Sequence, residues 1–347
     1  MGSTIYDIAK IAGVTTATVS LALNNKKGVS QQTKQRIIDI AKELNYFPNT
    51  NARSLSTRKS MTVALCISAV SYEYFNSSFY FDIIKYISQE IGNTLFLTTQ
   101  ISTLDKEAET IATLATSGNI MAFVFIGTRL SVKFICSLIG DIPAVFFNKP
   151  DLKGKNVYSV SFDNKEAMRL ITSHLISLGH QRIAYLGYLP GVIPAENRLE
   201  GFKKAYQEAN LEIEPDQVIE TEYLPIFGYS AIRKILLEQK ELPSGLVCGN
   251  DLIAVGVMQA LREYSFKVPH DISVAGIDNL QLTDSLWVPL TTVDVNCHSI
   301  GEEIAHILQQ IAEGEEPQKN PVIDVSLIIR ESSGSFNPEG KRTLKMP

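Results

Sequence analysis

Seven short apolar runs, most of them followed by a stretch with helical spacing, constrain the fold of this chain more than any other feature. They read TVALCIS, TLFLTT, MAFVFIG and PAVFFN, and later QRIAYLG, GLVCG and ISVAGI. Apolar strands that alternate with amphipathic helices are typical of parallel sheets with helices on both faces. Because the alternation occurs twice, the sequence predicts two doubly wound α/β lobes that bind ligands at the carboxyl ends of their strands.

The first 47 residues show three helix patterns instead. Thr4 and Asp7 resemble a capping pair for a first helix that ends at Gly13. Thr15 begins a second helix over about residues 16–23, and Ser30 caps a third over about residues 31–44. Such helices, the first two joined by a tight turn, are typical of a helix-turn-helix domain. In the second helix, the spacing places Val19 and Leu23 inward and Thr16, Ala17, Ser20 and Leu21 outward.

Charge divides the chain at a similar place. Residues 1–60 carry nine Lys or Arg against three Asp or Glu, a balance of +6, whereas the remaining 287 residues have a balance of −11. A basic head on an acidic body predicts that the head contacts a polyanion.

The remaining composition indicates a folded cytoplasmic protein. Its hydrophobic content of 45% is ample for a core, and we find no secretion signal and no run of about 18 apolar residues. The four cysteines lack metal-ligand spacing, so we expect buried, reduced thiols, no metal and no cofactor. His180, which follows a glycine helix stop, is expected to be a structural cap rather than a ligand.

Sequence blocks along nearly the whole chain resemble the lactose/galactose repressor family of bacterial transcription regulators. The head carries TIYDIAKIAGVTTATVSLALN, GVSQQTKQRIIDIAKELNYFPN and NARSLSTRKS, and the body carries NRLEGFKKA, CGNDLIAVGVMQALRE, VPHDISVAGIDN and LIIRESSG. The resemblance implies a DNA-binding domain at 1–47, a hinge helix at 48–60 and a tail at 336–347. Between them, at 61–335, it implies an effector-binding and dimerisation domain of the periplasmic-binding-protein-like type I. Its N-lobe would span about 61–162 and 291–320, and its C-lobe about 163–290 and 321–331.

The same resemblance implies roles for residues of the head. Phosphate contacts fall to Thr4, Thr15, Thr18, Asn24, Ser30 and Thr33, whereas Thr16, Ala17 and Leu21, with Ser20 beside them, face base edges. None of the three base-facing side chains can bind guanine in a bidentate way, so we expect contacts to thymine methyl groups and a contribution of DNA shape. Asn49 would cap the hinge helix, with Leu55 wedged into the minor groove beside Ala52 and Arg53. The alternatives are a core position for Leu21 and an ordinary linker whose Leu55 packs on the body.

Candidate effector residues in the second lobe mostly follow predicted strands. Asp278 follows ISVAGI, and Asn250 with Asp251 follows GLVCG, although Asp251 could instead cap the next helix. Arg198 lies in ENRLEGF, and the family places an aromatic side chain near Tyr223. A carboxylate, an amide, a guanidinium and an aromatic face suit a sugar, and the same groups could bind a nucleobase.

In the first lobe the chain departs from its relatives, with SYEYFNSSFYFDIIKYI after the first strand. We expect Ser78 and Phe79 to lie nearest the effector, with Asn148 at the end of PAVFFN. The other aromatic side chains of this stretch divide between cavity and core, and they are Tyr72, Tyr74, Phe75, Tyr80 and Phe81.

The sequence thus predicts a regulator, most simply a repressor, that binds a palindromic operator as a homodimer under the control of a small molecule. No hydrolase, P-loop or zinc-protease motif supports an enzyme. A sugar-binding receptor would share the α/β body but would lack the basic head. A regulator controlled by a nucleobase or by a phosphoprotein corepressor remains the alternative.

Overall fold

A computed structural model describes residues 4–23, 28–44, 46, 61–69, 78–92, 94–103, 105–149, 152–238 and 242–339. The chain divides into two compact units, Met1–Ser60 and Met61–Pro347, called here the head and the body. Within the described ranges, no helix has both the length and the apolar character needed to cross a membrane.

The head contains the three predicted helices, α1 (Ile5–Ala12), α2 (Thr16–Leu23) and α3 (Gln31–Glu43). The Asp7 carboxylate accepts hydrogen bonds from the Thr4 amide and hydroxyl, both at 2.7 Å. These bonds hold the pKa of Asp7 below its usual range. Gly13 ends α1 with a φ of 66°, in the left-handed region that favours glycine.

A small apolar core joins the three helices of the head. Ile8, Val19 and Ile37 are fully buried in it. In α2 the buried neighbour of Val19 is Ala22, while Leu23 is half-buried at the edge of the core. Val19 and Leu23 thus both face the core as predicted, and Ala22 is a further buried residue that the spacing did not single out.

The body alternates strands and helices, as the apolar runs predict. Its elements are β1 (Thr62–Ala69), α4 (Ser78–Ile91), β2 (Phe96–Thr103), α5 (Glu107–Thr116), β3 (Ile120–Ile126), α6 (Val132–Ile139), β4 (Ala144–Phe147), β5 (Val157–Phe162), α7 (Asn164–Ser177), β6 (Ile183–Tyr188), α8 (Ile193–Glu208), β7 (Val218–Glu220), α9 (Pro225–Leu237), β8 (Gly245–Cys248), α10 (Asp251–Glu263), β9 (Ser273–Ile277), β10 (Thr291–Asp294), α11 (Cys297–Glu313), β11 (Val322–Ile323) and β12 (Ser326–Ile328).

Two six-stranded sheets form the two lobes of the body. The first has the order β11-β5-β4-β3-β1-β2, and the second has the order β12-β10-β9-β8-β6-β7. The strand pairs are parallel except for β10 with β12, which is antiparallel. The predicted class, a helical head followed by two parallel α/β lobes, is confirmed.

The later crossovers between the lobes differ from the predicted positions. Thr291 pairs with Ala275 of β9, so β10 belongs to the second sheet and the chain returns to the first lobe only after Asp294. Val322 pairs with Ser161 of β5, so the chain crosses again after Ile323. The sequence could not show this, because a short apolar strand fits either sheet until its pairing partner is known.

Helix α11 packs on α4 and so belongs to the first lobe. A Cβ atom added at Gly301 would lie 2.4 Å from the Cβ of Tyr86, so glycine permits this close approach. The apolar side chains that the two helices bury, among them Ile83, Ile87 and Ile304, extend the first-lobe core.

His180 and the cysteines of the body have environments that suit a role in the fold rather than in ligand binding. The ring of His180 is buried between the Ser244 hydroxyl at 3.0 Å and the Gly334 carbonyl at 2.9 Å. The four cysteines are free thiols, but Cys136 and Cys297 are half-buried rather than fully buried as expected. Burial raises the pKa of the Cys66 thiol to about 12.

Candidate effector cavity and nucleic-acid interface

The exposed side of α2 and the starts of α2 and α3 form the candidate nucleic-acid interface. Thr15 accepts a hydrogen bond from the Thr18 amide, and Ser30 accepts one from the Thr33 amide, both at 3.2 Å. Each helix start therefore combines a hydroxyl pair with the positive end of the helix dipole, which suits a phosphate. Ala17 and Ser20 are exposed, Thr16 and Leu21 are half-buried, and the predicted contacts Asn24, Asn49, Ala52, Arg53 and Leu55 lie outside the described residues.

A cavity of about 600 Å³ opens between the two lobes of the body. Six of the seven predicted effector residues line it, and they are Phe79, Asn148, Arg198, Tyr223, Asn250 and Asp278. The seventh, Ser78, is not among the lining residues. Its hydroxyl is buried at the start of α4 and has no hydrogen-bond partner among the described residues.

Arg198 lies on α8 and is 6% exposed. Its Nε atom donates to Oδ1 of Asn164 at 2.9 Å, and its Nη1 atom donates to the Gly249 carbonyl oxygen. The guanidinium carbon lies 5.8 Å from the ring centre of Phe162 and 5.6 Å from that of Tyr223. The charge is thus held in place by hydrogen bonds and by two aromatic rings.

Asn164 connects the two lobes beneath the cavity. It begins α7 directly after the first crossover, and its Nδ2 atom donates to Oδ1 of Asn148 at 2.8 Å. The Oδ1 atom of Asn164 accepts from Arg198. The Asn164 amide therefore links the end of β4 in the first lobe to α8 in the second lobe. Sequence reasoning missed Asn164, since nothing in its local pattern distinguishes it from a helix-start residue.

Asp278 presents the acid of the cavity wall. It follows β9 with a φ of 126°, and its amide donates to the Val293 carbonyl oxygen at 2.9 Å. No described residue donates a hydrogen bond to its carboxylate. Burial raises the pKa of Asp278 to about 7, although the nearby Arg198 guanidinium lowers it in part. A carboxylate this costly to bury is a candidate for ligand binding.

Behind Asp278 lies a second buried carboxylate, Asp251. Its two oxygens accept from the Leu280 amide at 2.9 Å and from the Thr292 hydroxyl at 2.6 Å. Burial and the neighbouring Asp278 raise the pKa of Asp251 well above its usual range. These bonds fix the loop that carries Asp278, so Asp251 has a structural position rather than the capping role considered from the sequence.

Asn250 takes the capping position instead. Its Oδ1 atom accepts from the Ile253 amide at 2.9 Å and so begins α10. Its Nδ2 atom donates a long hydrogen bond of 3.4 Å to the Tyr223 carbonyl oxygen, which leaves the second amide hydrogen for a ligand.

Aromatic side chains supply the apolar walls of the cavity. Tyr223 is anchored by its hydroxyl, which donates to the Gly187 carbonyl oxygen at 2.9 Å. Tyr80 lines the wall from the first lobe, and burial with the charge of Asp278 raises its pKa to about 12. Phe81 is 56% exposed and lies outside the cavity, and Tyr72, Tyr74 and Phe75 are outside the described residues.

Further lining residues were missed by sequence reasoning although most of them follow strands. They include Ser68 at the end of β1, Thr128 after β3, Lys149 after β4 and the segment 189–194 after β6. The rule that ligands bind at the carboxyl ends of parallel strands applies to all of these positions. Applied to every strand of both lobes, it would have found them.

Comparisons with known proteins agree with this architecture. Residues 4–49 match the model of bacterial regulatory proteins of the lacI family, and residues 172–333 match a periplasmic binding protein-like domain. The HTH-type transcriptional repressor PurR of Histophilus somni strain 2336 is 31% identical over 95% of this chain and 98% of its own. That of Haemophilus influenzae strain PittEE is 32% identical over 96% and 99%.

Solved structures show the same fold. The lac repressor dimer bound to operator and the anti-inducer ONPF superposes with a TM-score of 0.80 at 24% identity, covering 96% of this chain and 100% of its own. The complex of the regulator CelR with cellobiose has a TM-score of 0.71 at 24% identity, covering 95% and 99%. The extent of the sequence match to the repressors establishes that this chain, a DNA-binding transcription regulator and not an enzyme, belongs to the lacI family of bacterial regulatory proteins.

Proposed function

We propose that this protein is a cytoplasmic repressor that binds a palindromic operator as a homodimer and responds to a sugar or sugar derivative in the cavity. The buried carboxylate of Asp278 carries this proposal. No described residue donates a hydrogen bond to it, so hydroxyl groups of a polyol would satisfy it. Asn148 and Arg198 would supply further polar contacts, and Tyr223 would supply a face for C–H groups.

The DNA part of the proposal rests on the head. Its positive charge and the hydroxyl pairs at the starts of α2 and α3 suit backbone phosphates, and the exposed side of α2 is small enough to enter a major groove. A hinge helix at 48–60, with Leu55 in the minor groove, would connect this contact to the body. Effector binding would change the angle between the lobes and so the spacing of the two hinge segments.

A nucleobase is the second candidate effector. The relatives of 31% and 32% identity are named PurR, and the aromatic rings of Tyr223, Phe162 and Phe79 in the cavity wall could pack against a planar base.

A thermal-shift screen of the full chain against sugars and purines tests the proposed function. A ligand at about 100 times its Kd stabilises the folded state by roughly 2.7 kcal/mol. We expect a sugar to raise the Tm, and the same ligand to change operator affinity, with operator changing sugar affinity by an equal factor. A response to purines alone would replace the sugar by a nucleobase, and no response to either would favour a protein corepressor.

Replacing Leu21 by arginine is expected to change which operator the protein selects. Leucine offers only apolar contact, whereas arginine can bind O6 and N7 of guanine, which is worth about 1–3 kcal/mol at one base pair. Selection from a randomised operator library should therefore show guanine newly preferred at one position of each half-site. Lys42→Arg, a basic change on the exposed side of α3, is the control. An unchanged selected motif for Leu21→Arg would contradict the placement of α2 in the groove.

A further inference from the structure

We propose that the effector carries an anionic group, of the chemical class of a phosphate monoester, which binds at the first-lobe end of the cavity against Arg129 and Lys149. This inference rests on the proposed function and specifies its ligand.

The described wall carries three cations and one acid. The cations are Arg129, Lys149 and Arg198, and the acid is Asp278. Arg198 and Asp278 compensate each other, since the guanidinium lowers the pKa of that carboxyl. Neither Arg129 nor Lys149 has an acidic counterpart in the described wall, and Lys149 alone has one behind it, Glu107. An anionic ligand at this end would therefore face at least one cation, Arg129, whose charge no described acid of the wall compensates.

A hydrogen bond fixes Lys149 at this end of the cavity. Its Nζ atom donates to the Leu130 carbonyl oxygen at 2.9 Å, which holds the ammonium beside loop 127–131. Burial lowers the pKa of Lys149, while Glu107 raises it. Glu107 is fully buried at the start of α5 and is not a lining residue, so it supports the ammonium from behind without occupying the ligand's place.

Hydroxyl donors lie at the base of the same loop. Gly127 has a φ of 76°, and a Cβ atom there would lie 2.5 Å from the Ser68 carbonyl oxygen, so glycine brings the loop onto the end of β1. Ser68 is 3% exposed, lines the cavity and has no partner for its hydroxyl among the described residues. Thr128 is 8% exposed, and its oxygen accepts from the Leu130 amide at 3.2 Å, which leaves its proton for a ligand.

The loop then leads into α6, whose first turn adds backbone donors. Ser131 lines the cavity and caps this helix by accepting from the Phe134 amide at 3.2 Å. Amides in the first turn of a helix have no acceptor within the helix and carry partial positive charge. Two cations, two hydroxyls and a helix start thus line the first-lobe end of the cavity, and each of them can donate a hydrogen bond to an anion.

Isothermal titration of the full chain tests the proposal. The probes are inorganic phosphate and a panel of hexoses and pentoses, each measured as the free sugar and as its phosphate monoester. We compare wild type with Arg129→Gln, Lys149→Gln and the double variant. Lys155→Gln is the control, because Lys155 is exposed, lies before β5 at the opposite end of that strand from the cavity and is not a lining residue. Arg129 is exposed, so its variant is expected to fold even if Lys149→Gln does not.

We expect one monoester to bind at least about tenfold more tightly than its parent sugar, since charge-assisted bonds to phosphate are strong. Each single variant should weaken monoester binding about tenfold without changing that of the parent sugar, and the control should leave both unchanged.

Equal binding of parent and monoester by wild type would overturn the proposal, as would monoester affinity that survives in the double variant. Absence of any phosphate or monoester binding by wild type would also overturn it. A free sugar could instead bind with an affinity that falls in Asp278→Asn and is unchanged in the double variant. The proposed function would then stand, and only the anionic group would be wrong.

Discussion

The variant Asp278→Asn is expected to bind the effector about 10–100-fold more weakly than wild type at pH 8. In the proposed function the buried carboxylate oxygens would accept hydrogen bonds from ligand hydroxyls, and a bond to a charged acceptor contributes about 1.5–3 kcal/mol. Asparagine keeps the shape but loses the charge and turns one acceptor into a donor. Titration of the ligand found in the thermal-shift screen measures this loss.

The same variant is expected to be more stable than wild type without ligand, and only at high pH. The pKa of Asp278 rises from 3.8 to about 7 on folding, so the folded state holds this proton more tightly than the unfolded state. Ionisation of Asp278 therefore lowers the free energy of unfolding. The loss is absent well below pH 4, increases between pH 4 and 7, and is complete above pH 7. Three pKa units correspond to about 4 kcal/mol, an upper bound for the gain in Asp278→Asn.

Melting curves at pH 5 and pH 8 measure this difference. The Tm advantage of Asp278→Asn over wild type should be several degrees at pH 8 and should shrink at pH 5. Asp141→Asn is the matched control, because Asp141 is exposed and distant from the cavity wall. A Tm difference for Asp278→Asn that is the same at both pH values would show that its carboxyl ionises normally and is not held for a ligand.

Sequence reasoning located Asp278, Asn250 and Asn148 because their signal is local. Each follows a strand, and the carboxyl ends of parallel strands meet at one edge of a sheet, so strand prediction alone brings them together. Arg198 lies inside α8 and so outside that rule. Tyr223 follows β7, a strand that the apolar runs did not predict, and the family resemblance supplied it instead. The fold class follows in the same way from the alternation of apolar strands with helices.

Other features depend on the tertiary arrangement and have no local signal. Asn164 looks like any helix-start residue until α8 places Arg198 beside it. The choice of Asn250 over Asp251 as the cap depends on Thr292 and the Leu280 amide, which hold Asp251 from a distant segment. The position of Lys149 after β4 has a local signal, but the orientation of its ammonium depends on the Leu130 carbonyl oxygen of a different loop.

Replacing Arg198 by methionine is expected to destabilise the protein by about 3 kcal/mol or more, the opposite of Asp278→Asn at pH 8. The change leaves the Gly249 carbonyl and Oδ1 of Asn164 unpaired in a buried site, and it removes the charge that compensates Asp278. Effector binding should fall as well, because the guanidinium lines the cavity and positions the amide that links the lobes. Urea unfolding measures the stability, and Arg198→Lys, which keeps the charge but cannot form both bonds, should lie between.

A double-mutant cycle separates the two losses in Arg198→Met. If part of its cost is the uncompensated Asp278 charge, the same substitution should cost less in the Asp278→Asn background at pH 8. We expect a difference of about 1 kcal/mol, because the two charges interact electrostatically without forming an ion pair. At pH 5, where Asp278 is largely protonated in the folded state, this coupling should decrease. If Arg198→Met lowers the free energy of unfolding equally in both backgrounds, Arg198 stabilises the protein only through its hydrogen bonds with Asn164 and Gly249. The charge of the buried Asp278 carboxylate would then be compensated by the ligand alone.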